Sequence, residues 1–470
     1  MKRSKGSSKP EARDKSIKSI EPQITRQDIR KSKHYEANII KSYYSFQSGV
    51  FTPSDFKLTG ENIILKNLSK YDVFLEDPYD FHVRVTALCW HPGKPNILAI
   101  GSKWGELAFR KWVNFFGDMV ELSSFEGTGP GGSITNICFD PFKDNGVFLT
   151  SVNGTARWWD YESGKGVNLM TTGTHEKWYC SISASEKTGL IVVGDVNGIL
   201  TVLNKDMKQV DSYKIHKRKL INAEFSNARN WLLVTSSLDH TVKVWDIRNM
   251  KKPTVSNKCT ENYLQVLQHN KAVNSAYFSK TDGNRLLTTD QHNELRVYRG
   301  PNFDLETIIY HPHRQFQHLT GIRATWHPLA DLIVIGRYPD PHWPNYENEV
   351  LKSIDIIDPS SGKIKVQMVS NSLKGISSLN EMNPTGDLMA SGMGMHLLYW
   401  RLKHQTDNKL PKSDNKHSDD SGNDDDSENE NKTDKPPPKK PRRTLKESNH
   451  SKKLDYDKRN KPGPKNKKQL

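Results

Sequence analysis

A strand-like phrase that recurs seven times restricts the fold of this chain more than any other feature. The copies are A-L-C-W-H-P (87–92), N-I-C-F-D-P (136–141), C-S-I-S-A-S (180–185), N-A-E-F-S-N (222–227), S-A-Y-F-S-K (275–280), R-A-T-W-H-P (323–328) and L-N-E-M-N-P (379–384). Their anchors, Trp90, Phe139, Ile182, Phe225, Phe278, Trp326 and Met382, are separated by 49, 43, 43, 53, 48 and 56 residues. Because this is the period of a β-propeller blade, the chain is predicted to be all-β with seven blades.

A second pattern follows each phrase, in which an apolar strand, a turn of small residues and another strand succeed one another, as in L-I-V-V-G-D-V-N-G-I-L-T-V-L (190–203). Asp and Asn-Gly tolerate the positive φ of tight hairpins, so each period is predicted to form a four-stranded sheet. Trp245-Asp246 is the signature of a WD40 repeat. In the same blade, His216, Ser237, Asp239 and Trp245 match the buried hydrogen-bonded tetrad of such repeats, which predicts a structural role for His216.

The segments that flank the repeats have a different composition. Residues 34–75 are predicted to be helical, with Tyr35, Ile39, Tyr43 and Phe46 at helical spacing and Leu65, Leu68 and Val73 indicating a second helix around 58–70. Such short helices are unstable alone, so their apolar stripes must pack on the propeller (76–402) or on a partner.

Residues 1–33 and 403–470 are predicted to be disordered tails. The second tail contains a basic run typical of nuclear import, with Lys435, Lys439, Lys440, Arg442 and Arg443.

The charge distribution limits how the folded part could bind a polyanion. The two tails contribute +7 and +6 to the net charge of +15, so only +2 remains for the segment between them. A nucleic-acid site there must be a local patch.

The cysteines and the missing targeting signals limit the compartment. The four cysteines form no C-x-x-C pair, and no signal peptide or long apolar run occurs. The sequence therefore predicts a reducing intracellular compartment and no membrane span. No catalytic motif is present, so neither an enzyme nor a cofactor is expected. The Gly-rich stretch 127–133 precedes a strand and is interpreted as a connecting loop.

The stretch H-P-H-R-Q-F-Q-H (311–318) concentrates unusual chemistry in eight residues. Three interpretations are open. His311, His313 and His318 could hold zinc, although no fourth ligand lies nearby; the stretch could be a turn without a role; or it could be a wedge. Pro312 stiffens the segment, Phe316 could replace a base in a stack, and Gln317 could satisfy exposed base edges. Because a damaged base step costs less to unstack, such a wedge would prefer damaged duplex.

Cationic and aromatic residues recur in equivalent loops of other blades and could converge on one face. They are Arg84, Lys103, Lys177-Trp178, Lys217-Arg218-Lys219 and Arg337-Tyr338. Together they could form the local patch that the low charge of the folded part requires, which predicts steeply salt-dependent binding.

From about residue 39 to 400 the chain resembles the family of the small WD40 subunit of the UV-damaged-DNA-binding complex, the xeroderma pigmentosum group E proteins. The phrases that carry the resemblance are A-L-C-W-H-P, G-P-G-G-S-I-T (129–135), W-Y-C-S-I (178–182), I-H-K-R-K (215–219), V-K-V-W-D-I-R (242–248), L-L-T-T-D-Q (286–291), H-P-H-R-Q-F-Q-H-L-T (311–320), V-I-G-R-Y-P-D-P (334–341) and G-I-S-S-L-N-E-M-N-P (375–384). Gln315 and Trp104 differ from the residues typical of the family.

The resemblance implies roles for individual residues. Phe316, Gln317 and His318 would insert at the lesion. The contacts to the DNA backbone and the lesion pocket would come from Arg84, Lys103, Trp178, Lys219, Gln291, Arg314, Arg337 and Tyr338. Docking on the ligase adaptor, which is the large subunit of the complex, would use Ile39, Ile40, Tyr43, Phe46, Leu65, Leu68, Trp245, Asp246 and Arg248.

The resemblance therefore implies a non-enzymatic nuclear sensor of UV photolesions that initiates nucleotide excision repair and acts as a substrate receptor of a cullin-4 ubiquitin ligase. An alternative of another class is a scaffold of the ligase that binds chromatin or histones on its propeller without recognising lesions. A zinc or hydrolase function is a third hypothesis.

Overall fold

The computed structural model describes residues 39–78, 81–113, 118–172, 176–251, 259–314, 320–338, 340, 342–343 and 352–403. The two expected tails, including the basic run 435–443, lie outside these residues. Two helices, α1 (Ile39–Gln47) and α2 (Pro53–Leu68), precede strands β1 to β28. No helix within the described ranges is long and apolar enough to cross a bilayer.

The strands form seven four-stranded antiparallel sheets, which confirms the predicted seven-bladed propeller. Blade 1 contains β2 (Val85–Trp90), β3 (Ile97–Ser102), β4 (Leu107–Trp112) and β5 (Met119–Phe125); blade 2 contains β6 (Ile134–Phe139), β7 (Gly146–Ser151), β8 (Thr155–Asp160) and β9 (Gly166–Thr171). Blade 3 contains β10 (Tyr179–Ser185), β11 (Leu190–Asp195), β12 (Ile199–Asn204) and β13 (Gln209–Lys214); blade 4 contains β14 (Leu220–Phe225), β15 (Leu232–Ser237), β16 (Thr241–Asp246) and β17 (Gln265–Gln268). Blade 5 contains β18 (Val273–Phe278), β19 (Arg285–Asp290), β20 (Glu294–Arg299) and β21 (Asp304–Tyr310); blade 6 contains β22 (Thr325–Trp326), β23 (Ile333–Gly336), β24 (Ile354–Ile357) and β25 (Ile364–Met368). Blade 7 contains β26 (Ser377–Met382), β27 (Leu388–Met393), β28 (His396–Leu402) and β1 (Tyr71–Glu76).

Apolar side chains of neighbouring blades pack together and form the core. The second strands of blades 1, 2 and 4 are buried along their whole length, whereas the outer strand β5 alternates between half-buried and exposed positions. Each blade therefore covers the faces of its neighbours, and only the outer strands present an edge to solvent.

The ring closes through a strand that the sequence did not predict. β1 pairs antiparallel with β28, with Tyr71 opposite Leu402 and Glu76 opposite Leu398. The boundary expected between residues 75 and 76 is therefore wrong, and Val73 lies in this strand and not in a helix. After β1, the buried Asp77 accepts hydrogen bonds from Arg110 Nε of blade 1 (3.1 Å) and from Tyr399 Oη of blade 7 (2.8 Å). Removing one partner of such a buried pair costs about 3–5 kcal/mol, so this contact locks the closure.

The WD40 tetrad of blade 4 is present with one correction. His216 Nδ1 lies 3.0 Å from Asp239 Oδ2, and its Nε2 lies 2.9 Å from the hydroxyl of Thr235. Trp245 Nε1 donates to the same hydroxyl at 2.9 Å. Thr235 therefore takes the place expected for Ser237, whose hydroxyl instead donates to the carbonyl of Arg218. Burial lowers the pKa of His216, which is consistent with a structural role.

The two helices lie against blades 6 and 7. α2 begins earlier than expected, because Thr52 and Asp55 form a capping box around Pro53. Leu68 is buried in the core between blades 6 and 7, and Leu65 packs against that core. Lys57 Nζ lies 3.3 Å from Asp331 Oδ2 in the loop after β22. Apolar packing and one ion pair thus attach the helices to the propeller.

Strand direction gives the propeller two distinct faces. We call the face at which the first strand of every blade begins the upper face; it also carries the loops between second and third strands. The lower face carries the loops that follow first and third strands, together with α1 and α2. In blades 1 to 5 the residue after the second strand donates a backbone hydrogen bond to the residue before the first strand. These bonds are Lys103 to Arg84, Val152 to Ser133, Val196 to Trp178, Leu238 to Lys219 and Gln291 to Ala272.

Candidate nucleic-acid interface

Every described residue that was predicted to contact DNA belongs to an upper-face loop. Those that precede a first strand are Arg84, Trp178, Lys219 and Arg314, and those that follow a second strand are Lys103, Gln291, Arg337 and Tyr338. They come from blades 1, 3, 4, 5 and 6, so the upper face brings together residues that are far apart in sequence. Phe316, Gln317 and His318 lie outside the described residues.

Trp178 and Lys219 form one cationic and aromatic pair on this face. Lys219 Nζ lies 5.9 Å from the centre of the Trp178 ring, although the two residues belong to different blades. The indole Nε1 of Trp178 is buried and has no hydrogen-bond acceptor among the described residues. A buried donor without an acceptor is costly, so this group could serve a ligand. Gln291, in blade 5, donates from Nε2 to Asn274 Oδ1 at 2.9 Å.

Blade 1 adds a second group of cations and an aromatic residue to which the sequence assigned no role. Lys103 is exposed, and Arg84 is partly buried, which lowers the pKa of its guanidinium. The exposed Trp104 stacks on His82, with ring centres 6.2 Å apart. Gly127 packs against Trp104 so closely that a Cβ would lie 2.1 Å from the Trp104 carbonyl oxygen. The Gly-rich stretch is thus a connecting loop, as expected, and it also packs against the backbone of Trp104.

His311 and His313 are buried and belong to a chain of polar side chains. His311 Nε2 lies 3.0 Å from Asp355 Oδ2, and its Nδ1 lies 3.3 Å from His313 Nδ1. His313 Nε2 in turn lies 3.6 Å from Asp290 Oδ1. Burial lowers the pKa of His311 to about 4, so its imidazole is neutral at physiological pH. Within the part of the chain that the structure describes, no group of three or more His, Cys, Asp or Glu could hold a metal ion.

Arg337 belongs to the same chain of polar side chains. It was expected to project from the upper face, but it does not. Its Nη2 and Nε lie 2.7 and 3.1 Å from Asp355 Oδ2, and its side chain is only 14% exposed. Burial alone would raise the pKa of Asp355, but the hydrogen bond from His311 and the charge of Arg337 lower it to about 2. The predicted role of Arg337 as a DNA contact is therefore corrected: it holds Asp355, and through it His311.

Both flanks of residues 315–319 are fixed to the propeller. On the N-terminal side, the backbone N–H of His311 donates to Asn293 O at 3.0 Å, and Tyr338 N donates to Pro312 O at 2.8 Å. On the C-terminal side, Thr320 Oγ1 donates to Val85 O at 2.9 Å. One flank is thus held by blades 5 and 6 and the other by blade 1.

The residues predicted to dock on the ligase adaptor belong to the lower face or to the core beneath it. Arg248 follows β16 and makes two hydrogen bonds to Asp246, at 2.9 and 2.8 Å. Its guanidinium carbon lies 4.5 Å from the centre of the Trp231 ring, yet 61% of the side chain is exposed. Trp245, by contrast, is 0% exposed. The predicted contact by Trp245 is therefore corrected: it is a core residue, Asp246 orients Arg248, and only Arg248 is presented.

The helical residues divide in the same way. Ile39, Ile40 and Tyr43 are exposed. Phe46 is half-buried and stacks on Phe56 with ring centres 5.1 Å apart. Leu65 and Leu68 face the propeller core, so their predicted contact with a partner is corrected to an anchoring role. Tyr44, which was not singled out from the sequence, is among the most exposed aromatic residues of the helices. The sequence pattern did not indicate Tyr44, because it lies outside the apolar stripe formed by Ile39, Tyr43 and Phe46.

Comparison with known proteins supports the resemblance. A family model described as a β-propeller domain matches residues 135–306. DNA damage-binding protein 2 of Gallus gallus is 41% identical over 346 residues, which cover 72% of this chain and 66% of that protein, just under two thirds of its length. The protein of the same name from Mus musculus is 39% identical over 376 residues, or 79% of this chain and 84% of that protein. The protein of the same name from Oryza sativa subsp. japonica is 30% identical over 345 residues, which cover 70% of this chain and 56% of that protein. The chain belongs to the DNA damage-binding protein 2 family.

Proposed function

We propose that this chain binds damaged DNA on its upper face and recruits a ubiquitin ligase through its lower face. The observation that carries the first half is that cationic and aromatic side chains from five blades share one face with the two fixed flanks of residues 315–319. The names of its relatives support damaged-DNA binding.

Phe316, Gln317 and His318 are proposed as the wedge that enters the duplex at the lesion. Unstacking a normal base step costs a few kcal/mol. The cost is lower at a lesion, because the lesion has already weakened the stacking. A wedge gains most from this difference when its own ordering costs little. The buried chain from Arg337 to Asp290 and the hydrogen bond of Thr320 support such preorganisation, because they hold both ends of the segment.

Lys103, Lys219, Arg84 and Arg314 are proposed to hold phosphates on either side of the wedge, and Trp178, Gln291 and Tyr338 to border the extruded lesion. Arginine and lysine next to phosphate position a protein without reading sequence, which suits a sensor that must act anywhere in a genome. The buried Trp178 indole N–H lacks an acceptor in the described structure, so an acceptor on a ligand that reached it would offset the cost of burying it unpaired.

The lower face is proposed to dock on the large subunit of the UV-damaged-DNA-binding complex and so on a cullin-4 ubiquitin ligase. The exposed side chains of Ile39, Ile40 and Tyr43 form an apolar patch on α1, and Arg248 stands on the same face. Exposed apolar residues and arginine are both enriched at protein interfaces. We place the protein in the nucleus, on chromatin, at the first step of nucleotide excision repair.

The test is a competition experiment between a duplex that carries a UV photoproduct and its undamaged twin. The intact chain is expected to prefer the lesion, and Phe316→Ala/Gln317→Ala to lower that preference by about tenfold or more, because the wedge no longer replaces the lost stacking. A matched control is Gln209→Ala/Val210→Ala, at exposed positions on the outer strand of blade 3. If the wedge variant retained the full preference, the proposal would be wrong.

The same experiment tests the alternative of a chromatin or histone scaffold without lesion recognition. That function predicts equal binding to damaged and undamaged nucleosomes. It also predicts that the Arg248→Ala variant no longer co-purifies with the ligase. A lesion preference of the intact chain excludes it.

A further inference from the structure

A cleft between blades 7 and 1 opens on the upper face, on the opposite side of the ring from Trp178 and Lys219. It has a volume of about 520 Å³. Its lining comes from the loop before β26, the turn between β27 and β28, and the residues that lead into β2. We call it the blade 7 cleft. The proposed lesion site does not include it, apart from Arg84 at its rim.

The charge of the lining distinguishes the blade 7 cleft from the other described cavities. Arg84, Lys374 and His396 line it, and no carboxylate does. The central channel contains Glu224 and Glu381, the cavity beside α2 contains Asp387, and the smaller one between the helices contains Glu61. A concave site with two cations and no acid selects an anion.

The floor of the cleft is largely apolar. Met393 is buried, and its sulfur accepts a hydrogen bond from the backbone N–H of Gly375 at 2.9 Å. Met395 stands in the turn at 43% exposure, beside Gly394 with φ of 63°. A Cβ on Gly375 would lie 2.9 Å from Met393 Cγ, so glycine is needed for this packing. Thioether sulfurs make favourable contacts with aromatic rings.

The cleft is lined in part by Thr320, the first described residue after the segment that contains the proposed wedge. The hydroxyl of Thr320 donates to Val85 O at 2.9 Å. A wedge that separates two strands exposes bases on both of them. If the lesion strand lies toward blades 3 and 4, the opposite strand lies toward blades 7 and 1.

We propose that the blade 7 cleft binds one nucleotide of the strand opposite the lesion, with its base against Met395 and Met393 and its phosphate between Lys374 and Arg84. This inference rests on the proposed function. It predicts a contact that depends on the opposite strand and that residues on the lesion side cannot supply.

A charge-reversal variant tests the phosphate contact. Lys374→Glu is expected to weaken binding to a photoproduct duplex about tenfold, and Lys374→Ala to lower the slope of log affinity against log salt by about 1. Lys363→Glu is the matched control, since Lys363 is exposed in the lower-face loop between β24 and β25. Equal effects of the two reversals would overturn the phosphate contact.

A thermodynamic cycle tests the base contact. Binding of the intact chain and of Met395→Ala is measured with two photoproduct duplexes, one with normal bases and one with an abasic sugar opposite the lesion. We expect Met395→Ala to cost about threefold on the first duplex and nothing on the second, because its partner is gone. Equal losses on both duplexes, or no loss on either, would overturn the base contact. Since the lesion preference of the intact chain is measured alongside, failure of the proposed function would be seen separately.

Discussion

The upper and lower faces of this propeller are built from the same seven sheets but by different physical means. On the upper face, short loops are tied by repeated backbone hydrogen bonds and by a buried chain of charged and imidazole side chains. On the lower face, two helices lie on blades 6 and 7 and leave apolar side chains exposed. The upper face presents positioned charges, and the lower face presents an apolar patch.

The difference indicates how one scaffold would serve the two proposed partners. Consecutive antiparallel strands place alternate loops on opposite faces. Residues separated by one strand, such as Thr241 at the start of β16 and Arg248 beyond its end, therefore belong to different faces. Binding on the upper face is expected to weaken with salt, whereas apolar docking on the lower face is expected to depend on it little.

The largest effect is expected from Asp355→Ala, which tests whether the upper face depends on its buried charges. The substitution leaves Arg337 and His311 without their common partner, so the free energy of unfolding should fall by about 3–5 kcal/mol. Chemical denaturation measures this, with Asp304→Ala at an exposed position in β21 as control, for which a change within about 0.5 kcal/mol is expected. Similar values for both variants would mean that the chain of side chains is not structural.

A somewhat smaller effect is expected from pH. His311 has a pKa of about 4 in the folded protein against 6.5 when exposed, so the unfolded chain takes up its proton first as the pH falls. This costs the folded state up to about 3 kcal/mol between pH 6.5 and 4, and nothing above pH 6.5. His311→Gln keeps a donor to Asp355 without titrating, so its unfolding free energy should fall less than that of the intact chain over this range. Parallel pH profiles of the two proteins would contradict the prediction.

The separation of the two faces is tested by a pair of variants that serve as controls for each other. Lys219→Ala should weaken DNA binding by about 1–2 kcal/mol and leave docking on the large subunit unchanged, because one cation at a phosphate is lost. Arg248→Ala should weaken docking by about 1–3 kcal/mol and leave DNA binding unchanged. Gel-shift titration and co-purification measure the two. A variant that impaired both functions would show that the faces are coupled.

The smallest effect is expected from Ile40→Ser on the lower face. The side chain is 58% exposed, so the free energy of unfolding should change by less than about 0.5 kcal/mol, while docking should weaken by about 1 kcal/mol. Val210→Ser, on the exposed edge of blade 3, is the control for docking. A large loss of stability would mean that Ile40 packs against the propeller and is not presented to a partner.

Patterns in consecutive residues were enough to predict the seven blades and the set of loops that share a face, because the alternation of a strand and the length of a blade are local properties. The family was indicated separately, by the resemblance of particular motifs. Packing between strands and blades determines which of these residues can reach a partner. The sequence motifs that contain Arg337 and Trp245 match functional patterns. In the structure, however, Arg337 is paired with Asp355, and Trp245 is buried in the core of blade 4. Tyr71–Glu76 continues a helical pattern and becomes a strand because β28 offers it an open edge. Such outcomes depend on partners from other strands or blades, and no local pattern encodes them.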